Sequence, residues 1–133
     1  MKLWDRLFIT SSILSIFVLF ATVIVLAQHG TSIVTRIKFA RGRTTAVEKG
    51  AVHRGMSHDY LLKAGEGQNM TLHLATTEGV CFDLYSPAMQ NQLASCSKDW
   101  EGALPATGDY RINVLPDTMT DRNIAYTLEV TVR

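Results

Sequence analysis

Two patterns divide the chain. Residues 7–27 contain no charge and are mostly large aliphatic or aromatic side chains. Beyond them, short runs alternate apolar with polar. Ile33, Thr35, Ile37 and Phe39 alternate with Val34, Arg36 and Lys38. Tyr60, Leu62 and Ala64 form a short run, and Met70, Leu72 and Leu74 alternate with Thr71 and His73. Val80, Phe82 and Leu84 alternate with Cys81, Asp83 and Tyr85. Tyr110, Ile112 and Val114, then Tyr126, Leu128, Val130 and Val132, repeat the pattern. A period of two predicts strands that bury one face. Weaker strands are predicted around 45–47 and 51–53. No stretch carries a helical stripe.

Turn residues punctuate the runs at Gly42, Lys49-Gly50, Arg54-Gly55, Gly65 to Gly67, Glu78-Gly79 and Thr107-Gly108-Asp109. Two longer connections are expected, at 86–105 and 115–123. About eight closely spaced short strands predict an all-β, antiparallel β-sandwich over residues 33–133, joined to the apolar segment by a tether at 28–32.

The apolar segment follows a weakly positive head with Lys2 and Arg6 against Asp5. Val25 and Ala27 sit at −3 and −1 of a cut before Gln28, which is a signal-peptide pattern. The same run is long enough to span a bilayer as a helix, so cleavage and a retained anchor both stand. Either puts the body outside the cytosol: free in the periplasm, or anchored in the inner membrane and facing it. Membrane contact is expected only through residues 7–27, if they are uncleaved. The oligomeric state is left open.

The chain is 133 residues with a formal net charge of +1. Removing Lys2, Arg6 and Asp5 leaves a body with equal basic and acidic counts. That argues against a nucleic-acid binder, which works by neutralising phosphates. The body is also too short for a doubly wound nucleotide fold or a large barrel. Cys81 and Cys96, the two cysteines of an exported body, read as one disulfide.

Enzymatic motifs are missing: no zinc-protease helix motif, phosphate loop, dinucleotide fingerprint or nucleophile elbow. Ser57-His58-Asp59 are adjacent in a strand-like run, so they point to alternate faces and do not form a triad. His53 and His58 flank a turn, but they make a weak metal pair. No cofactor, metal or catalytic residue is expected. Trp100, Tyr85 and Tyr110 are either core or recognition residues.

A resemblance sharpens this reading. Ala40 to Ala46, Gly50, Gly55, Tyr60 and Ala64 to Gln68 resemble the opening half of bacterial periplasmic inhibitors of goose-type lysozyme. Phe82 to Pro87 looks like that family's central strand and turn. Gly102 to Tyr110, Val114-Leu115 and Tyr126 to Val132 resemble its closing half. The same skeleton resembles, more weakly, prepeptidase C-terminal β-sandwich domains. The resemblance implies an exported protein, not an enzyme, that occludes a lysozyme cleft. Related inhibitors insert a Ser-Gly-x-Tyr loop, and here the matching positions are Thr107, Gly108, Asp109 and Tyr110. Threonine keeps the hydroxyl for hydrogen bonding. Tyr85 and Trp100 are candidates for a secondary interface. The alternation also groups Tyr110 with Ile112 and Val114, so a core role and an interface role both stand. The other functional reading is a non-catalytic module for envelope glycans or a protease accessory.

Overall fold

Among the described residues, nine strands form where the alternation is strongest and in several places where it is not. The computed structural model describes residues 30–133. The apolar segment at 7–27, with its expected helix and its cleavage or anchoring, lies outside the described residues. The strands are β1 (Thr31–Arg36), β2 (Thr45–Val52), β3 (Met56–Ala64), β4 (Asn69–Thr76), β5 (Val80–Ser86), β6 (Asn91–Ser97), β7 (Asp99–Ala103), β8 (Gly108–Pro116) and β9 (Ile124–Val132). They build two sheets, one in the order β1-β3-β8-β5-β6 and the other in the order β2-β9-β4-β7.

The core lies between them. Tyr60, Leu62, Phe82, Leu84, Tyr110, Ile112 and Val114 come from the first sheet. Met70, Leu72, Leu74, Tyr126, Leu128 and Val130 come from the second. These are the inward positions that the alternation selects, because a strand buried on one face shows every second side chain to the partner sheet.

Three expectations are corrected. The sandwich is not wholly antiparallel: β1 runs parallel to β3. The intervening β2 belongs to the opposite sheet, so the chain crosses over and returns in the same direction. Residues 86–105 are not a long connection, since they contain β6 and β7. The β5–β6 register shifts twice, between Phe82 and Leu84 and between Leu84 and Tyr85, and these irregularities erase the period. β7 is a five-residue edge with only Trp100 and Gly102 turned inward. Finally, 45–47 and 51–53 are not two strands split by a turn at Lys49-Gly50. They belong to one strand, β2, paired with β9 from Thr45 to Val52.

A polar chain crosses the core beside Gly50. The Tyr60 and Tyr126 hydroxyls hydrogen-bond at 2.7 Å, and the Tyr126 hydroxyl also meets His58 Nδ1 at 2.7 Å. These bonds satisfy groups that would otherwise be costly to bury. Burial raises the ionisation range of both phenols. For Tyr126 the bond to Tyr60 raises it further, whereas for Tyr60 the bond to Tyr126 opposes the rise. Both phenols therefore stay neutral under ordinary conditions.

Candidate functional site

The connection between β7 and β8 is short and tied down at several points. Its first residue, Leu104, is buried. The Leu104 amide donates to the Gln68 carbonyl at 2.8 Å, and the Gly67 amide donates to the Leu104 carbonyl at 2.9 Å. This clamps the loop to the β3–β4 turn. That turn is itself closed by the Gly65 amide donating to Gln68 Oε1. One step further, the Glu66 amide donates to Thr107 Oγ1 at 2.8 Å. Thr107 is exposed, and with its oxygen accepting that bond its own O–H remains a donor for a partner. Gly108 has φ of 151°, a conformation that L side chains rarely adopt, so glycine is required where the loop enters β8.

The structure separates the four loop residues by role. Tyr110 is 1% exposed and belongs to the core. Its hydroxyl donates to the Ala106 carbonyl at 2.5 Å and accepts from the Ala106 amide at 3.2 Å. Of the two roles the sequence left open, Tyr110 takes the core one, and its hydroxyl holds the loop from beneath. Asp109 is half-exposed and bound to Arg36 of β1 by two hydrogen bonds, at 3.0 and 2.9 Å. The Arg36 bond holds the Asp109 carboxyl below the usual carboxylate range, and the same bond raises the Arg36 guanidinium. Arg36 is a member of this site that the sequence reading missed. It lies 73 positions from Asp109, and no local pattern connects the two.

Removing only the Tyr110 oxygen tests the tether. Tyr110→Phe is expected to lower stability by about 1–2 kcal/mol, because the buried side of the Ala106 peptide loses its partner. Chemical denaturation reads this directly. A variant as stable as the parent would mean that water replaces the phenol there.

Tyr85 and Trp100 do not share a surface. Tyr85 lies on the outer face of the five-stranded sheet, with the Arg111 guanidinium 5.3 Å from its ring centroid. Trp100 lies in the other sheet, half-buried, packed against the core and over Gly102. Asp59, Asn113 and Asp83 form one cross-strand row on the outer face, at the floor of a shallow groove of about 270 Å³. The fold already uses both carboxylates. Asp59 accepts from Ser32 and Asn113, and Asp83 accepts from the Cys96 amide.

Ser57 and Asp59 line that outer groove, while His58 turns inward to Tyr126, so strand alternation keeps the three apart. His53 Nδ1 is engaged by the Arg54 carbonyl instead. Cys81, Cys96 and Asp117 approach one another, but the two sulfurs form the Cys81–Cys96 disulfide and are not free to ligate a metal.

Comparison with known proteins places this geometry. No protein-family model matches the chain, and no curated protein matches it in sequence. Solved structures do. PliG of Aeromonas hydrophila, a periplasmic lysozyme inhibitor of g-type lysozyme, superposes with a TM-score of 0.69 and 25% identity. That match covers 77% of this chain and 97% of the inhibitor. PliG of Salmonella Typhimurium, also a periplasmic inhibitor of g-type lysozyme, matches with a TM-score of 0.63 and 21% identity, over 77% of this chain and all of that one. The pre-peptidase C-terminal domain of a Bacillus anthracis collagenase shares the fold more distantly, with a TM-score of 0.51 and 15% identity over 77% of this chain and 95% of that domain.

Proposed function

We propose that the protein is a non-catalytic periplasmic inhibitor of lysozyme, goose-type first, which occludes the enzyme's cleft with the loop at 104–109. The observation that carries this reading is the likeness to the Aeromonas inhibitor along nearly its whole length. The loop suits the task. A lysozyme cleft holds a carboxylic acid and a second polar group around the scissile bond, and a plug must satisfy them. Thr107 offers an exposed hydroxyl, and the backbone around it is clamped by Glu66, Leu104 and Tyr110. A loop already held in shape loses little entropy on binding. The aromatic side chains favour this reading over glycan recognition: Trp100 packs against the core, and one face of Tyr85 lies under Arg111.

The test is a lysis assay. The full chain, produced through its own N-terminal segment, is mixed with goose-, chicken- and invertebrate-type lysozymes, and clearing of cell walls is followed. Goose-type enzyme should be inhibited at micromolar protein. Thr107→Ala should weaken inhibition roughly tenfold, the cost of one hydrogen bond to a charged group, while the lost Glu66–Thr107 bond lowers stability by no more than about 1 kcal/mol and leaves the protein folded. Inhibition of no class would sink the proposal. Full potency in Thr107→Ala would remove this loop from the interface.

A further inference from the structure

The outer edge of β1 is built differently from the other three sheet edges. β1 ends the five-stranded sheet, and among the described residues nothing pairs with its far side. Edge strands present free N–H and C=O groups, and proteins usually guard them with charges, bulges or shortness. β2 carries Glu48 and Lys49, β6 has two register shifts, and β7 has five residues with Asp99 and Glu101. β1, Thr-Ser-Ile-Val-Thr-Arg, has one charge at its end, no proline and no irregularity in its pairing with β3. Its centre is apolar and open to solvent, with Ile33 40% and Val34 61% exposed.

The hydrogen bonding fixes which groups are free. The Thr31 amide donates to Gly55 and the Ile37 amide to Leu61, both toward β3. Backbone direction alternates along a strand, so Ser32, Val34 and Arg36 point their N–H and C=O groups outward.

We propose that this edge pairs with the same edge of a second copy, antiparallel and centred on Val34. A two-fold axis through the centre, perpendicular to the sheet, keeps both core faces on the same side and makes the contact self-complementary. With Val34 opposite Val34 of the other copy, Ser32 faces Arg36 and Arg36 faces Ser32. All three outward residues then form hydrogen-bonded pairs, about six bonds in all, whereas centring on Ile33 or Thr35 gives about four. The side chains agree with the register. Val34 meets valine and Ile33 meets threonine, pairs that suit a β-ladder. Arg36, already paired with Asp109 of its own copy across β3, comes opposite the neutral Ser32 of the other copy, so no like charges are opposed. This contact does not rest on the lysozyme reading.

Sedimentation of the full chain from micromolar to hundreds of micromolar tests it. The protein should pass from monomer to dimer. Val34→Lys, which sets two cations face to face, should weaken association roughly tenfold or more while melting at low concentration is unchanged. Cysteine cross-linking tests the register without relying on that variant. Val34→Cys should oxidise to a covalent dimer far faster than Val47→Cys, a comparably exposed position on the β2 edge. A wild-type monomer throughout would overturn the proposal, as would a dimer indifferent to Val34→Lys or equal cross-linking at both positions.

Discussion

Loss of the Cys81–Cys96 disulfide is expected to lower stability by about 3 kcal/mol, the loop-entropy value for a closed loop of this size. The two residues are 15 apart in sequence, and the bond ties β5 to the edge strand β6. That edge is where the sheet most needs a tie. The β5–β6 ladder slips twice, and Cys96 sits at the disturbance with φ of 41°, a left-handed conformation uncommon for a non-glycine residue. Its amide bonds the Asp83 side chain at 2.7 Å instead of a strand carbonyl. Cys81→Ala combined with Cys96→Ala should therefore destabilise the whole fold and make β6 the first strand to exchange its amide hydrogens. Denaturant curves of the double variant and of the reduced parent should agree. A loss below about 1 kcal/mol would show that packing and the irregular ladder hold β6 without the covalent bond.

Gly50→Val is expected to cost about 3 kcal/mol, at the upper end of ordinary overpacking. A Cβ at this position would lie 2.5 Å from the Tyr126 hydroxyl and 3.1 Å from His58 Nδ1. A free side-chain tip could give way. This one is held from two directions, by Tyr60 and by His58, each at 2.7 Å. Moving it breaks a buried bond and leaves a phenol without a partner. Lys49→Val, at the exposed neighbouring position of β2, should change stability by less than about 0.5 kcal/mol. Equal effects at the two positions would mean that strand propensity governs both and that close approach to Tyr126 does not.

Gly50 also shows why a glycine is hard to read in sequence. Beside Lys49 it resembles a turn signal, and the alternation on either side is too short to argue otherwise. Its actual role is to make room for a side chain 76 positions away, which only the β2–β9 register brings near. Gly55, by contrast, lies where a turn is expected and has φ of 79°. The two glycines are chemically identical, and only their neighbours in space distinguish them.

The candidate loop divides in the same way. A turn at Thr107 and Gly108 follows from residue type, and the alternation with Ile112 and Val114 marks Tyr110 as inward-facing. Neither feature reveals that the Tyr110 hydroxyl seizes the Ala106 peptide, that Glu66 anchors Thr107, or that Arg36 holds Asp109. Those contacts span between 4 and 73 positions. Together they decide which polar groups remain for a partner.

By itself the sequence determined the two-faced strands β4, β5, β8 and β9, an all-β sandwich and the pairing of its two cysteines. Alternation is local: a strand with one buried face must repeat every second residue, whatever lies opposite. The tertiary structure alone decided the parallel placement of β1, the existence of β6 and β7, the role of Gly50 and the availability of Thr107. Each depends on which strands become neighbours, and that choice is made by burial and hydrogen bonding summed over the two sheets, beyond the reach of any short window of residues.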